Sequence, residues 1–317
     1  MTSTADNPPS YSELRAQLDT LTTEAFRSDL SEIDQLPTLE IARIMQGEDA
    51  TVPGAVAEQL PRIAAAIDAT AERMARGGRL IYAGAGTAGR MGVLDASECP
   101  PTFNTDPSDV VGLIAGGPGA LNRSVEGAED SKELAASDLD ALRLTADDTV
   151  VGISASGRTP YAVGAVEHAR KHGALTVGFS CNADSPLGDA ADLRIEVVVG
   201  PELLTGSTRL KAGTAQKLVL NMLSTITMIR LGKTYGNLMV DLRASNEKLR
   251  ARSRRIVSLA TGAGDEAIEA ALTQAGDEVK NAILIILAGV DGRTAARLLD
   301  NAGGHLRAAL RAAGGQG

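Results

Sequence analysis

Short apolar segments alternate with helix-like segments between residues 79 and 200, and this alternation restricts the fold more than any other feature of the chain. The apolar segments lie at residues 79–83, 110–115, 149–153, 175–179 and 193–198. Strands that alternate with helices in this way predict a parallel sheet covered on both faces. Near-continuous apolar runs such as TVVGIS fit strands that are buried on both sides. The sequence therefore predicts an α/β fold with a doubly wound, five-stranded parallel sheet.

Helical patterns fill the spaces between the predicted strands and extend beyond them. Within the α/β region they cover residues 87–96, 120–142, 161–171 and 185–190. Residues 13–76 read as helices interrupted by prolines, and residues 1–10 are predicted to be disordered. A long helix is predicted after Lys211, and three short amphipathic helices are predicted within residues 232–317.

A chain of 317 residues is long enough for one large domain with appendages or for more than one domain. The helical and alternating regions divide it into three predicted units. These are an N-terminal helical segment (1–68), an α/β ligand-binding domain (69–232) and a small C-terminal helical bundle (233–317).

Composition and charge exclude several classes of function. The net charge of −9 argues against nucleic acid as the main partner, because a phosphate backbone requires a basic surface. The first residues lack a basic segment followed by an apolar one, and no apolar run reaches the roughly 18 residues that span a bilayer. Two cysteines provide neither a disulfide framework nor zinc spacing. We therefore predict a cytoplasmic protein with no membrane or nucleic-acid partner.

A glycine turn follows the first predicted strand, in the stretch IYAGAGTAGRMGVLDASECPP. Gly84, Gly86 and Gly89 satisfy the pattern G-x-G-x-x-G, which is typical of dinucleotide sites. Such sites also need an acidic residue at the end of the second strand to hold the ribose hydroxyls. The second strand instead ends in Ala115, followed by Gly116. The turn therefore indicates either a different phosphate ligand or a tight turn without a ligand, and no nicotinamide or flavin cofactor is expected.

A second candidate phosphate site, the hydroxyl loop (residues 154–159), follows the third predicted strand. It contains Ser154, Ser156, Gly157 and Thr159, and Pro160 stands at the expected first helical position. Hydroxyl groups and backbone N–H groups at a helix start bind phosphate well. One of these hydroxyls is also a candidate for an ordinary N-cap. Three hydroxyls in six residues exceed what capping requires, so we favour phosphate binding.

Further candidates are the carboxylates Glu98, Glu126 and Glu129 and two residues of the segment TGSTRLKAGTAQK, Ser207 and Lys211. The density of hydroxyls and cations in that segment suits an anion. Glu126 and Glu129 have a spacing that is equally typical of a solvated helix face. We expect Glu98 to lie at a helix exit, because prolines closely follow it. No Ser/His/Asp set and no metal-ligand spacing is found in the sequence, so a metal is not expected.

Several long motifs carry a resemblance to a known family. They are GAGTAGR, GISASGRTP, TLEIARIMQGEDATVPGAV, LDASECPPTF, VEGAEDS, GPELLTGSTRLKAGTAQKLVLNMLST and YGNLMVDLRASNEKL. With these stretches the chain resembles the sugar isomerase (SIS) domain superfamily and, within it, the N-acetylmuramic acid 6-phosphate etherase family. The resemblance covers residues 35–250 almost continuously, and glucokinase regulatory proteins share several of the motifs.

The resemblance implies a flavodoxin-like, SIS-type sheet and an intracellular carbon–oxygen lyase without metal or redox cofactor. Such a lyase removes the D-lactyl ether from N-acetylmuramic acid 6-phosphate, a small-molecule phosphosugar, in cell-wall amino-sugar recycling. Two carboxylates carry over by motif, Glu98 and Glu129. The elimination needs one group that protonates the leaving group and another that takes the carbon-2 proton, and we assign Glu98 as the acid and Glu129 as the base. Glu126 is expected to contact sugar hydroxyls, and Gly86 and Thr87 to line the phosphosugar site.

The family also implies a homodimer, for which the long apolar helix after Lys211 is the candidate contact. The chain departs from the family pattern at Ala88, where a Ser is common, and at Ser154, where an Ala is common. Its segment TTEAFRSDLSEID matches the family's N-terminal motif only loosely, so no function is assigned there.

Two alternatives remain open at this point. An aldose–ketose phosphate isomerase needs one base and no lactyl pocket. A non-catalytic regulator that binds sugar phosphates needs neither glutamate.

Overall fold

The computed structural model describes residues 11–242 and 247–314, and a five-stranded parallel sheet forms its centre. The strands are β1 (Leu80–Gly84), β2 (Val110–Ile114), β3 (Thr149–Ser154), β4 (Leu175–Ser180) and β5 (Leu193–Glu196), in the spatial order β2-β1-β3-β4-β5. Every residue of β1, β3 and β4 is buried, which explains their continuous apolar runs. The predicted α/β fold with a doubly wound sheet is confirmed. Residues 1–10, which were predicted to be disordered, lie outside the described residues.

Helices cover both faces of this sheet. Those that precede it are α1 (Tyr11–Leu18), α2 (Thr38–Asp49), α3 (Val52–Ala57) and α4 (Leu60–Met74). Those within or directly after it are α5 (Gly86–Phe103), α6 (Lys132–Ala141), α7 (Pro160–Lys171), α8 (Pro186–Ala190) and α9 (Lys211–Arg230). On one face Leu80 and Tyr82 pack with residues of α4, α5 and α9. On the other face Ile81 and Ala83 pack with residues of α6 and α7.

The C-terminal part of the described chain contains more elements than its sequence pattern predicts. They are a short hairpin, β6 (Thr234–Tyr235) and β7 (Leu238–Met239), and the helices α10 (Glu247–Thr261), α11 (Asp265–Gln274), α12 (Val279–Ala288), α13 (Gly292–Asn301) and α14 (Leu306–Gly314). Their apolar residues, from Tyr235 to Ala313, form a cluster of their own. This separate cluster supports the proposal that residues 233–317 form a unit of their own.

The proposed boundary between the N-terminal segment and the α/β domain, at residue 68, falls inside α4. This helix packs into the sheet core.

In two segments the structure contains less α-helix than the sequence predicts. In the segment 120–142 only Lys132–Ala141 is α-helix, and residues 118–121 and 128–130 form single 3₁₀ turns. The interruption has a local cause, because Gly127 has a φ of +72°, which continuing α-helix does not allow. Residues 22–35, expected to be helical, likewise contain three short 3₁₀ turns.

The expectation that Glu98 lies at a helix exit was wrong. Helix α5 continues through Pro100 and Pro101 and ends at Phe103. Proline removes a backbone hydrogen bond, but here it does so only in the final turn of an 18-residue helix. That turn is held by the buried side chains of Cys99 and Phe103, and Asn104 ends it in the left-handed conformation. Glu98 is therefore a helical residue with an exposed side chain.

Among the described residues no helix is both long and apolar enough to cross a membrane.

An ion pair between Arg79 and Asp148 joins β1 and β3 at their amino ends, opposite the ends at which ligands bind in such sheets. The Asp148 carboxylate accepts hydrogen bonds from Arg79 Nη2 at 2.7 Å, from Arg79 Nε at 2.9 Å and from the Thr145 N–H at 2.7 Å. Burial alone raises the pKa of Asp148, but these hydrogen bonds outweigh it and hold the pKa below its ordinary value.

Replacement of this carboxylate is expected to lower the free energy of unfolding. The change Asp148→Asn leaves Arg79, whose side chain is only 20% exposed, without its counter-charge, and should cost about 2 kcal/mol. Urea unfolding at neutral pH measures this. The matched control is Asp147→Asn, which removes an exposed ion pair with Arg76 and should change the free energy by less than about 0.5 kcal/mol.

The pH dependence provides a second test of the same ion pair. Because the folded state lowers the pKa of Asp148, its stabilisation is complete above the unfolded pKa of about 4 and is lost as the pH falls through the folded pKa. The difference between the wild type and Asp148→Asn should therefore shrink in acid. A difference that stays constant down to about pH 3 would contradict this account of the pair.

Candidate active site

A cavity of about 250 Å³ lies at the carboxyl ends of β1 and β3. These strands are neighbours in the sheet, and the chain leaves them toward opposite faces, which makes this the point where ligands bind in open α/β sheets. The cavity, called the switch-point cavity below, is lined by Glu24, Ala85, Gly86, Thr87, Ala88, Glu129, Ser154, Ala155, Ser156, Thr159, Thr208 and Gln216. It brings together six of the predicted site residues: Gly86, Thr87, Glu129, Ser154, Ser156 and Thr159.

The glycine turn places the first turn of α5 at the floor of this cavity. A Cβ atom at Gly89 would lie 2.6 Å from the carbonyl oxygen of Gly84, so only glycine lets the helix approach the strand this closely. Gly86, with a φ of +53°, makes the sharp turn between them. Ala85 provides no side-chain cap, which leaves the N–H groups of the first turn for a ligand. At Ala88 a methyl group lines the cavity where the family commonly has a hydroxyl.

The hydroxyl loop forms the opposite wall and is held by Ser154. The Oγ atom of Ser154 lies 2.8 Å from Thr159 Oγ1 and 3.2 Å from Ser156 Oγ, and it accepts the N–H of Gly157 at 3.0 Å. Ser154 is 3% exposed, so it fixes the positions of the other hydroxyls. Thr159 precedes α7 but makes no side-chain cap. The start of α7 is thus a second uncapped helix N-terminus at the cavity.

Gly157 affects the cavity indirectly, through the conformation of the hydroxyl loop. It does not line the cavity, but its φ of +67° and its N–H bond to Ser154 shape the loop. A Cβ atom at this position would lie 2.4 Å from the Cβ atom of Ser185. The loop conformation therefore depends on glycine here.

Two carboxylates of the VEGAEDS motif lie beside the switch-point cavity. Glu129 lines the cavity from the 3₁₀ turn Ala128–Asp130. Glu126 lines an adjoining cavity of about 190 Å³ that shares Ala85, Gly86 and Glu129 with the first. The two residues are exposed, but they do not share a helix face, because they lie on either side of the positive-φ Gly127.

Glu98 is not among the residues that line either cavity. It stands twelve residues beyond Gly86 on α5, which corresponds to about 18 Å along the helix axis. A single chain therefore brings Glu129, but not Glu98, to the switch-point cavity.

Ser207 and Lys211 also lie outside the lining of the cavity. Thr208, the neighbour of Ser207, lines it instead. Lys211 is 3% exposed and donates to Glu48 at 2.6 Å, while its backbone N–H donates to Glu202 at 2.9 Å. In the described chain Lys211 thus fixes the start of α9.

Of the lining residues with polar side chains, three were not identified from the sequence: Glu24, Thr208 and Gln216. Thr208 and Gln216 lie inside the hydroxyl- and cation-rich segment that was singled out, and Glu24 lies in the loosely matching N-terminal motif. Gln216 is 1% exposed, and its Oε1 atom has no hydrogen-bond partner in the described chain. A buried acceptor without a donor at a cavity wall suits a ligand that carries an N–H or O–H group.

Neither the cysteines nor the histidines contribute to the cavity. Burial, followed by the charge of Asp95, raises the pKa of the Cys99 thiol to about 12, so the thiol stays protonated at neutral pH. The group of three metal-ligating side chains found in the described residues is Asp140, His168 and His172. None of them lines the cavity, and the two histidines lie at the opposite end of α7.

The comparisons with known proteins agree with this architecture. The family model described as the SIS domain matches residues 128–226, and that of the glucokinase regulatory protein N-terminal SIS domain matches residues 62–170. The chain is 80% identical over 303 residues to the N-acetylmuramic acid 6-phosphate etherase of Streptomyces avermitilis, covering 96% of this chain and 97% of that protein. It is 78% identical to the protein of the same name from Streptomyces coelicolor, with 99% of each chain covered. Identity to the Rubrobacter xylanophilus protein of that name is 62%, over 93% of this chain and 97% of the relative.

Such identity over almost the full length confirms the resemblance inferred from the motifs. With its SIS-type sheet and its cavity at the switch point, this chain belongs to the N-acetylmuramic acid 6-phosphate etherase family.

Proposed function

We propose that this chain is a carbon–oxygen lyase that cleaves the D-lactyl ether of N-acetylmuramic acid 6-phosphate, releasing D-lactate and N-acetylglucosamine 6-phosphate. The observation that carries the proposal is the meeting of two uncapped helix N-termini, the hydroxyl loop and Glu129 in one cavity. The helix starts and hydroxyls suit a phosphate dianion, and the carboxylate suits proton transfer on the sugar. The relatives named above carry the name of this activity.

The reaction requires an acid and a base on neighbouring carbons. In the open-chain sugar the carbon-2 proton is acidic because carbon-1 is an aldehyde. A base removes that proton, an acid protonates the departing lactate oxygen on carbon-3, and water then adds to the unsaturated aldehyde. We assign Glu129 as the carbon-2 base and Glu98 as the acid. The unpaired Oε1 atom of Gln216 supports an acceptor role toward the acetamido N–H of the substrate.

In a homodimer, the second chain would supply the Glu98 carboxylate, which lies away from the cavity of its own chain. Glu98 is exposed on α5, and apolar side chains are exposed nearby on the same helix and on α9, which packs against it: Leu94, Ile226 and Ile229. We propose that a second copy of the chain covers this surface and that Glu98 of one copy serves the cavity of the other. Apolar surface of this kind favours association when it is buried.

We also propose that the reaction takes place in the cytoplasm. Both cysteines are unpaired and buried, which is typical of proteins from reducing compartments.

The first prediction of the proposed function concerns the reaction itself. Purified protein incubated with N-acetylmuramic acid 6-phosphate should release D-lactate, measured with a coupled lactate assay. The sugar without phosphate should be a poor substrate, because the cavity offers a phosphate site. Interconversion of aldose and ketose phosphates without lactate would indicate an isomerase instead, and binding without turnover would indicate a regulator.

The second prediction concerns the phosphate site. Ser156→Ala removes a hydroxyl that lines the cavity, and should raise KM about tenfold, the value of one hydrogen bond to a charged group. The matched control is Ser31→Ala, at an exposed serine outside the cavity, which should leave KM unchanged. Equal KM values for wild type and Ser156→Ala would remove this serine from the phosphate site.

The third prediction tests the shared site. Glu98→Gln and Glu129→Gln should each abolish most lactate release. If each cavity uses Glu129 of its own chain and Glu98 of the other, the mixed dimer has one intact cavity. Unfolding and refolding the two variants together should therefore restore about a quarter of the wild-type rate, since half of the dimers are mixed and half of their cavities are intact. No recovery in confirmed mixed dimers would mean that both carboxylates act within one chain.

A further inference from the structure

Glu24 is the second carboxylate that lines the switch-point cavity. Of the lining residues, Glu24 and Glu129 are the two with titratable side chains. Glu24 is half-buried at the end of the 3₁₀ turn Thr22–Glu24, and its backbone N–H donates to the carbonyl of Leu21 at 3.1 Å. Its carboxylate has no hydrogen bond or ion pair with another described residue. A carboxylate that is held in a polar cavity without a protein partner is available to a ligand.

The turn that carries Glu24 is fixed to the wall of the cavity by Asn182. The Oδ1 atom of Asn182 accepts hydrogen bonds from the Thr22 N–H at 2.8 Å and from Thr22 Oγ1 at 2.9 Å. Its Nδ2 atom donates to Thr23 Oγ1 at 3.1 Å and to the carbonyl of Ala155 at 2.9 Å. Asn182 is 4% exposed, and Ala155 belongs to the hydroxyl loop. The position of Glu24 is therefore coupled directly to the hydroxyl loop.

The carboxylate of Glu24 is also in close contact with Gly206. A Cβ atom at Gly206 would lie 2.5 Å from Glu24 Oε2, and the φ of Gly206 is +75°. The N–H of Gly206 donates to the carbonyl of Thr23 at 3.3 Å. Glycine at this position leaves the space that the carboxylate occupies.

The proposed reaction contains a step, ring opening, to which no residue has yet been assigned. Glu98 and Glu129 are both assigned to the elimination that follows it. A hexosamine 6-phosphate closes into a pyranose ring, in which carbon-1 is not a carbonyl and the carbon-2 proton is not acidic. Ring opening must therefore precede proton removal. It requires that a proton leave the oxygen on carbon-1 and that a proton reach the ring oxygen.

We propose that Glu24 catalyses this ring opening; the inference rests on the proposed lyase function. The carboxylate takes the proton from the carbon-1 hydroxyl while the bond from carbon-1 to the ring oxygen breaks and the aldehyde forms. The carboxylic acid so formed then gives its proton to the ring oxygen. The step is a net isomerisation, so it needs no further reactant and returns Glu24 to its ionised form.

Ring opening can be measured apart from elimination. The α and β anomers of N-acetylglucosamine 6-phosphate interconvert only through the open chain, and NMR exchange spectroscopy reports the rate. Wild-type protein should accelerate this interconversion. Glu24→Gln, which keeps the shape of the side chain, should reduce the acceleration at least about 100-fold, and lactate release should fall with it. Circular dichroism and the unfolding temperature establish that the variant is folded.

Three other variants make the test specific. Glu98→Gln and Glu129→Gln should keep the accelerated anomer interconversion while they lose lactate release, because their steps follow ring opening. Glu32→Gln, at an exposed glutamate of the same N-terminal segment, should change neither rate. Folded Glu24→Gln protein that interconverts the anomers at the wild-type rate would overturn the assignment. Wild-type protein that releases lactate without accelerating the anomers would also overturn it, whereas wild-type protein that releases no lactate would overturn the lyase function instead.

Discussion

The close approach of strand β1 to helix α5 is the constraint on which the candidate site depends. The backbone of Gly84 and that of Gly89 are so near that a Cβ atom on either would lie within 2.9 Å of the other's backbone. This contact brings the uncapped start of α5 directly above the end of the strand. Because β3 is the neighbour of β1, the start of α7 lies beside it, and the two helix N-termini enclose one cavity. Any larger residue at Gly84 or Gly89 would separate the two walls that bind the phosphate in our proposal.

The two ends of the sheet have different roles. At the amino ends, the Arg79–Asp148 pair is complete, since Asp148 accepts from both a guanidinium and backbone N–H groups. At the carboxyl ends, polar groups such as Gln216 Oε1 and the carboxylate of Glu24 have no partner within the described chain. Satisfied polar groups stabilise a fold, and unsatisfied ones at a cavity wall are free to select a ligand. We expect changes at the first end to alter stability and changes at the second to alter turnover.

The parts of the fold and of the candidate site that depend on local interactions could be predicted from the sequence. The parts that depend on contacts between distant positions could not. The strands and the hydroxyl loop were predicted because local patterns specify them: TVVGIS is continuously apolar, and SASGRT concentrates hydroxyls at a helix start. Glu24 could not be identified in this way. Its place in the cavity depends on hydrogen bonds between Thr22 and Asn182, which are 160 positions apart. Glu98 was expected at a helix exit because proline disfavours helix, but the buried side chains of Cys99 and Phe103 outweighed that local preference.

The position of Glu98 has a consequence for how the reaction would be controlled. The Glu98 carboxylate belongs to a residue about 18 Å along the axis of α5 from Gly86, and it does not line the cavity of its own chain. If a second copy provides it, the acid and the base come together only in the assembled dimer, and an isolated chain would bind the phosphosugar without eliminating lactate. Glu24 stands on the chain's own N-terminal turn, so ring opening would remain possible in such an isolated chain. Binding and ring opening would then belong to the single chain, and bond cleavage to the dimer.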